Sequence, residues 1–359
     1  MSELRKDPLL DRWVIIAADR GRRPSDFQGL PQKVDEGPCA LCEGSEDKTP
    51  PEVWALRRDG SAPNTPGWQV RVIPNKFPAL EVEGEVHRKG LGMFDMLNGI
   101  GAHEVIVEAP DHRWQLADGP PDRVDGVLQA YQQRLTDLYG DARLRYVVIF
   151  RNYGPQAGAS LCHPHSQLIA VPITPKRAKD KLAVARSYYQ AKERCVFCDI
   201  ITQERALGDR IVLESAHFVA MCPFAARFPF ELAVYPKQHE HSFALLDDVR
   251  RADLAKVLYL CLRHLRPALG DPPYNYVLNT SPNVTPRPGR PEYWGTLHLD
   301  YHWHLEIMPR VTRIAGFEWG TGFYINPVSP EDSAQFLRDA IAQEHPVEFG
   351  EVTRRAVSA

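Results

Sequence analysis

The sequence predicts an α+β fold in which one arrangement of strands, helix and histidines is used twice. Three observations carry this. Two C-x-x-C pairs, "PCALC" and "RCVFC", introduce two stretches of chain. Each is followed by a β-branched segment running into Pro and His, then a long amphipathic helix. Each stretch then closes on a second strand pair that ends in His-x-His. Landmarks repeated in one order are the mark of internal duplication.

The elements follow in chain order. "RWVIIAA", "WQVRVIP" and "HEVIVEAP" are β-branched and bounded by Pro, Gly, Asn or Asp, as strands are. From Asp122 to Tyr139 the apolar period becomes helical, with Val124, Val127, Leu128, Tyr131, Leu135 and Leu138 on one side. "YVVIFRN" and "HSQLIAVP" are the next strands. The charged segment 175–194 reads as a connecting helix. The layout then starts again. "FELAVYPKQH" matches "AHEVIVEAPDH", and residues 247–265 match the first helix. "YNYVLNTSP" matches "YVVIFRNYGP", and "LDYHWHLEIMP" matches "LCHPHSQLIAVP". The halves are placed at 1–178 and 179–345; the second ends in a helix over 330–344, and a polar tail occupies 346–359.

Composition narrows the function. The chain has 359 residues, 43% hydrophobic and 25% charged, ordinary values for a globular protein. A net charge of −3 gives no electrostatic reason to expect nucleic acid or a membrane as partner. No apolar run approaches the length of a span, and the start "MSELRKDPLLDRW" has no apolar signal region, so a soluble cytoplasmic protein is expected. Seven cysteines, four of them in C-x-x-C pairs, then favour metal or redox chemistry over a disulfide framework.

Each half offers four soft donors: Cys39, Cys42, His112 and His163, then Cys195, Cys198, His239 and His302. Zinc favours thiolate and imidazole in a tetrahedron, so two zinc sites are expected, with iron the alternative in one. The competing reading is redox-active or buried thiols. His103, His241 and His298 are rival ligands without the Pro-x-His or His-x-His placement.

Residues two apart on a strand share a face, so His163, His165 and Gln167 line one side of "CHPHSQLIA". Pro164 cannot donate to a ladder, which puts it at a strand start, an edge or a bulge. A nucleophilic imidazole needs one nitrogen open and the other N–H engaged. The preceding loop, "NYGPQAGAS", brings Gly154, Gly158 and Ser160 as an approach for an anion, and Gln167 adds an amide. The plainer reading leaves His165 a packed histidine.

These residues resemble the galactose-1-phosphate uridylyltransferases, a transferase branch of the histidine-triad superfamily. "HPHSQ" resembles the family signature, and the likeness extends through "DPLLDRWVIIAADRGRRP", "VIPNKFPAL", "HEVIVEAPDH", "GASLCHPHSQ" and "GFEWGTGFYINP". The resemblance implies two fused histidine-triad halves forming a mostly antiparallel sheet with packed helices, in a homodimer. It implies that His165 attacks the α-phosphorus of a nucleotide sugar and carries the nucleotidyl group to a second sugar phosphate. Gln167 stands where many triad hydrolases carry a third histidine, which favours transfer over hydrolysis. Arg20, Arg23, Asn75, Asn152, Gly158, Ala159 and Glu318 match substrate-binding positions, the two arginines across the dimer or within the chain. His304 marks a silent second half.

Lys76, Thr312, Arg313 and Tyr324 depart from the family pattern where base and sugar would be read. The expected reaction is UMP transfer from UDP-glucose to galactose 1-phosphate. "FEWGTGFYINP" also resembles a sister group that phosphorolyses ADP-glucose through an adenylyl-histidine, which is the alternative. More distant readings are a nucleotide hydrolase and a non-catalytic, zinc-held nucleotide-binding module.

Overall fold

The computed structural model describes residues 2–18, 27, 37–286 and 294–344. The first half contains β1 (Glu3–Lys6), β2 (Trp13–Ile16), β3 (Trp54–Arg57), β4 (Trp68–Pro74), β5 (Arg88–Leu91), β6 (Phe94–Leu97) and β7 (Ala102–Val107). Helix α1 (Pro121–Tyr139), β8 (Tyr146–Tyr153) and β9 (His165–Val171) complete it. The second half begins with α2 (Lys176–Lys192), α3 (Val196–Leu207), β10 (Ile211–Glu214), β11 (Phe218–Met221) and β12 (Leu232–Pro236). Then come α4 (Asp248–Leu269), β13 (Tyr274–Asn279), α5 (Leu297–Asp300), β14 (His304–Pro309), α6 (Gly316–Thr321), β15 (Tyr324–Asn326) and α7 (Pro330–Glu344).

Ten strands form one antiparallel sheet in the order β10-β11-β12-β14-β13-β8-β9-β7-β4-β3. The halves meet where β8 pairs with β13. Outward from that seam the first half runs β8-β9-β7-β4-β3 and the second β13-β14-β12-β11-β10, so the duplicated layout is a mirrored strand order. The register repeats as well. One transverse row joins Ile73, Val105, Gln167 and Phe150. It crosses the seam to Val277 and continues through Glu306 and Ala233 to Met221.

The faces of the strands explain why. Every residue predicted for the apolar stripe of α1 is buried. With α4 and α7 that stripe covers one face of the sheet in a single core containing Val72, Ile106, Leu168, Leu305 and Val234. Each such side chain contributes roughly 1.5–3 kcal/mol when buried fully. Strand alternation sends Trp303 into this core and leaves His302 and His304 on the other face. β9 starts at His165, directly after Pro164, as the missing proline N–H requires.

Two further features complete the fold. "RWVIIAA" does not enter the main sheet: β2 pairs with β1 and, in parallel, with β15, so the chain's last strand closes on its first hairpin. Residue 178 falls within the first turn of α2, which is continuous from 176 to 192 and packs Leu182 and Ala185 against the second half. No helix among the described residues is long and apolar enough to cross a membrane.

Candidate active site and metal centres

The donors predicted for each metal converge. In the first half Cys42 Sγ lies 3.4 Å from His112 Nδ1 and 3.5 Å from His163 Nδ1, and the two Nδ1 atoms are 3.3 Å apart. In the second half Cys198 Sγ lies 3.3 Å from His239 Nδ1 and 3.7 Å from His302 Nδ1. Cys39 and Cys195 complete the two quartets, each with all ligand atoms within 4.8 Å of one another. Ordinary Zn–S and Zn–N lengths give a tetrahedron with S···N edges of about 3.5 Å and N···N edges of about 3.3 Å. The donors are therefore spaced as such an ion requires. Their outer nitrogens are also fixed: His163 Nε2–H donates to Ala109 O at 2.8 Å, and His302 Nε2–H to Pro236 O at 2.7 Å. That leaves Nδ1 as the ligand atom. Burial and neighbouring Cys39 push the Cys42 thiol up to about 11, a proton that a dication would displace. Of the rivals, His298 supplies only its carbonyl, to His239 Nε2, and His103 acts elsewhere.

His165 is tied to the first quartet through His163. Its Nδ1–H donates to the His163 carbonyl at 2.8 Å, which leaves Nε2 with the lone pair. The ring is 6% exposed, and burial lowers its pKa below 6.5, so it is neutral near pH 7. It separates two clefts. One, of about 460 Å³, is lined by Asn152, Ser160 and Arg151. The other, of about 570 Å³, is lined by Asn75, Ile73, Val105 and Gln167. Ser160 borders both.

Gln167 is oriented by His103, which the sequence offered only as a rival metal ligand. His103 Nδ1 accepts from the Ala79 N–H at 3.2 Å, so Nε2 carries the proton in the neutral ring. Nε2–H donates to Gln167 Oε1 at 2.9 Å, which turns the Gln167 amide donors away from His103. Asn152 Oδ1 accepts from Asn275 at 2.8 Å, leaving its own amide hydrogens for the cleft. Gly158, at φ +89°, turns the loop close to Asn152. The Gly158 and Ala159 N–H groups donate to Pro155 O and Gly154 O, at 3.0 and 3.2 Å, and so hold the turn itself.

The other face of β9 carries a buried polar network. Ser166 donates to Glu108 and meets the hydroxyls of Tyr131 and Tyr276. Arg151 Nε donates to both Glu108 oxygens at 3.0 Å. The Glu108 N–H donates to Pro164 O at 3.0 Å, so this residue grips the chain on both sides of His165. Nothing in strand periodicity announces such a network; a glutamate after the apolar run "HEVIV" was its one trace.

The second half repeats the histidine and closes it. His304 Nδ1–H donates to His302 O at 3.1 Å, as in His165. Its Nε2, however, accepts from Lys181 Nζ at 2.7 Å. The same ammonium reaches Glu306 Oε1 at 2.5 Å and Asn279 Oδ1 at 3.1 Å. Glu306 occupies the place of Gln167, and Asn279 the place of Asn152, by the register across the seam. One buried lysine thus occupies at His304 the ring nitrogen that His165 leaves open.

One predicted position, Glu318, lies apart from both clefts. Its Oε2 accepts from the Ala315 N–H at 2.9 Å. Arg20 and Arg23 lie outside the described residues.

Comparison with known proteins gives the following. Residues 1–175 match the family "Galactose-1-phosphate uridyl transferase, N-terminal domain", and residues 120–345 match a "Domain of unknown function (DUF4921)". An ADP-glucose phosphorylase of Arabidopsis thaliana is 38% identical, over 94% of this chain and 92% of that one. A galactose-1-phosphate uridylyltransferase of Thermotoga maritima is 31% identical, over 94% of this chain and 98% of that one. The crystal structure of an Arabidopsis thaliana ADP-glucose phosphorylase with bound ADP-glucose superposes with a TM-score of 0.77 at 35% identity, covering 94% of this chain and 98% of that one.

Proposed function

Because the chain belongs to the galactose-1-phosphate uridylyltransferase family, we propose that it is an adenylyltransferase that phosphorolyses ADP-glucose through adenylyl-His165. The observation that carries the choice of nucleotide is the 38% identity to an ADP-glucose phosphorylase, against 31% to a uridylyltransferase, at equal coverage of this chain. The departures at Lys76, Thr312, Arg313 and Tyr324 lie where the uridylyltransferase pattern would read base and sugar. Uridylyl transfer from UDP-glucose to galactose 1-phosphate, the reaction expected from the signature, becomes the second reading.

In the first half-reaction the His165 Nε2 lone pair attacks the α-phosphorus. The bond from that phosphorus to the bridging oxygen breaks, and glucose 1-phosphate leaves with the electron pair. In the second, an oxygen of inorganic phosphate attacks the same phosphorus, the N–P bond breaks, and ADP forms. The Gln167 amide, set by His103, donates to the phosphoryl oxygens as charge builds on them. It has no proton to give a leaving group, so it positions without acting as an acid. Asn152 and Ser160 serve the same oxygens from the loop side, and Asn75 borders the nucleoside. Zinc in the two quartets would clamp loop to sheet, and through His163 would hold the carbonyl that fixes the His165 tautomer.

A homodimer belongs to this reading. Glu318, which lines neither cleft of its own chain, would be delivered to the site from a second copy. The ribbon β5–β6 supports it: Leu91, Met93, Phe94 and Met96 are 51–89% exposed, and a two-stranded ribbon alone is marginal in water. The decisive experiment offers ADP-glucose and UDP-glucose, each labelled in the α-phosphate, to the protein without acceptor. Label retained from ADP-glucose and released as ADP by phosphate is expected. Label retained from UDP-glucose alone would establish the second reading, and none from either would refute both.

A further inference from the structure

The duplication leaves the second half with a cavity as well as a closed histidine. It has a volume of about 580 Å³ and is bordered by Met221, Ala233 and Glu306. The N-terminal cleft, of about 570 Å³, is bordered by Ile73, Val105 and Gln167. These six residues lie in the single row that crosses the seam, at equal distances from it. In both halves the wall facing the sheet comes from the C-x-x-C segment: Ala40 and Leu41 in one, Val196 and Ile200 in the other. The cavity is thus the counterpart of the cleft beside Gln167, in place, size and wall.

Its chemistry differs at one end. Each carboxylate on its lining already has a cation: Asp7 has Arg12, Asp199 has Arg194, Glu204 has Arg210, Glu231 has Arg227, and Glu306 has Lys181. The donor left over is Arg12 Nε, which is buried without a hydrogen-bond partner. Arg12 borders the cavity with Lys181. Burial, with Arg227 close by, lowers the Arg12 pKa; burial takes Lys181 down to about 8. The three Lys181 hydrogens are taken by His304, Glu306 and Asn279, whereas Arg12 Nε lacks an acceptor. An anionic oxygen would supply one and satisfy the orphaned donor.

We propose that this cavity is a second, non-reacting nucleotide site, which takes a nucleoside monophosphate with its base on Met221 and Ala233 and its phosphate against Arg12 Nε. The assignment of nucleotide chemistry rests on reading the cleft beside Gln167 as the nucleotide site. No transfer follows binding, because His304 Nε2 is occupied.

Equilibrium dialysis of the metal-loaded protein with labelled AMP tests this. Two equivalents bound per chain are expected. Arg12→Gln should weaken one of them at least tenfold, and Gln203→Trp, on the exposed lining, should remove it while turnover stays unchanged. A single equivalent untouched by both variants overturns the proposal and leaves the reading of the Gln167 cleft intact. A single equivalent lost in Gln203→Trp supports the second site and refutes that reading. Adenosine binding there as tightly as AMP would overturn the placement of phosphate. Photolabelling with 8-azido-AMP should mark residues within 196–235, and labelling confined to 37–167 would count against the site.

Discussion

His165 and His304 occupy the same place in two copies of one layout, and their surroundings assign them opposite fates. Both are buried, both follow a metal-quartet histidine by two residues, and both fix Nδ1 on that histidine's carbonyl. The difference is at Nε2. In the first half it faces two clefts; in the second it accepts from Lys181. The Cys2His2 quartets and the five-strand layout are present in both halves. The open Nε2 is present in one. A buried imidazole is therefore poor evidence for catalysis until its second nitrogen is traced.

The largest effect should separate the two rings directly. His165→Gly is expected to reduce turnover by roughly a million-fold, the scale on which a covalent nucleophile is lost. His304→Gln should leave kcat within about threefold, since its Nε2 never meets substrate. Comparable losses in steady-state assays would end the contrast.

The quartets should behave alike where the rings do not. Cys39→Ser and Cys195→Ser should each lower the melting temperature by about 5 °C or more, given how steeply Tm follows lost stability in a chain of this size. Elemental analysis should find two metal equivalents in the native protein and one in each variant. A chelator that leaves calorimetric melting unchanged would refute a structural metal.

Lys181 sharpens the comparison from the other side. Lys181→Met removes the donor shared by Glu306, Asn279 and His304, while Arg177 and Arg227 still pair with Glu306, and should cost about 1–3 kcal/mol in urea unfolding. Adding Glu306→Gln removes the carboxylate that has lost one of its three cations, and the double variant should regain at least half of that loss. If the double variant is the less stable, the lysine does not serve as a counter-ion for Glu306.

The smallest effects are those of pH. His304 is held down to about 4 by burial, with Lys181 adding to it. Because the unfolded ring titrates near 6.5, its contribution to stability is complete above that pH and is lost as pH falls toward about 4. His304→Gln should flatten this limb of the stability curve. His165 is also depressed by burial, so its adenylylation rate should stay level as pH falls through 6.5 and drop only below it, when Nε2 is protonated. A rate that halves at pH 6.5 would place the ring in a more solvated setting than the structure has.

Much of this site could be read from the chain because its chemistry is local. C-x-x-C fixes two sulfurs on one short loop, and His-Pro-His-Ser-Gln fixes the alternation of one strand. The helix over 122–139 was legible because its stripe repeats every turn, and all six residues of that stripe are buried. What was not legible depends on partners far along the chain. His103 and Gln167 are 64 residues apart, and their hydrogen bond exists only because β7 pairs with β9. Glu108 and Arg151 are 43 apart and lie on the helix-covered face. Lys181 was read as part of a charged connector, yet it ends 2% exposed against His304, 123 residues later.

The sequence by itself determined the doubled layout, the two Cys2His2 quartets and which imidazole follows each, since residue spacing and strand alternation act within a few residues. The tertiary structure alone decided that the halves join edge to edge at β8 and β13, that His103 turns Gln167, and that a lysine from the connecting helix silences one of two equivalent rings. Such outcomes depend on which strands pair and in what register. Pairing is settled by burial summed over the whole sheet, a quantity that no short stretch of chain contains.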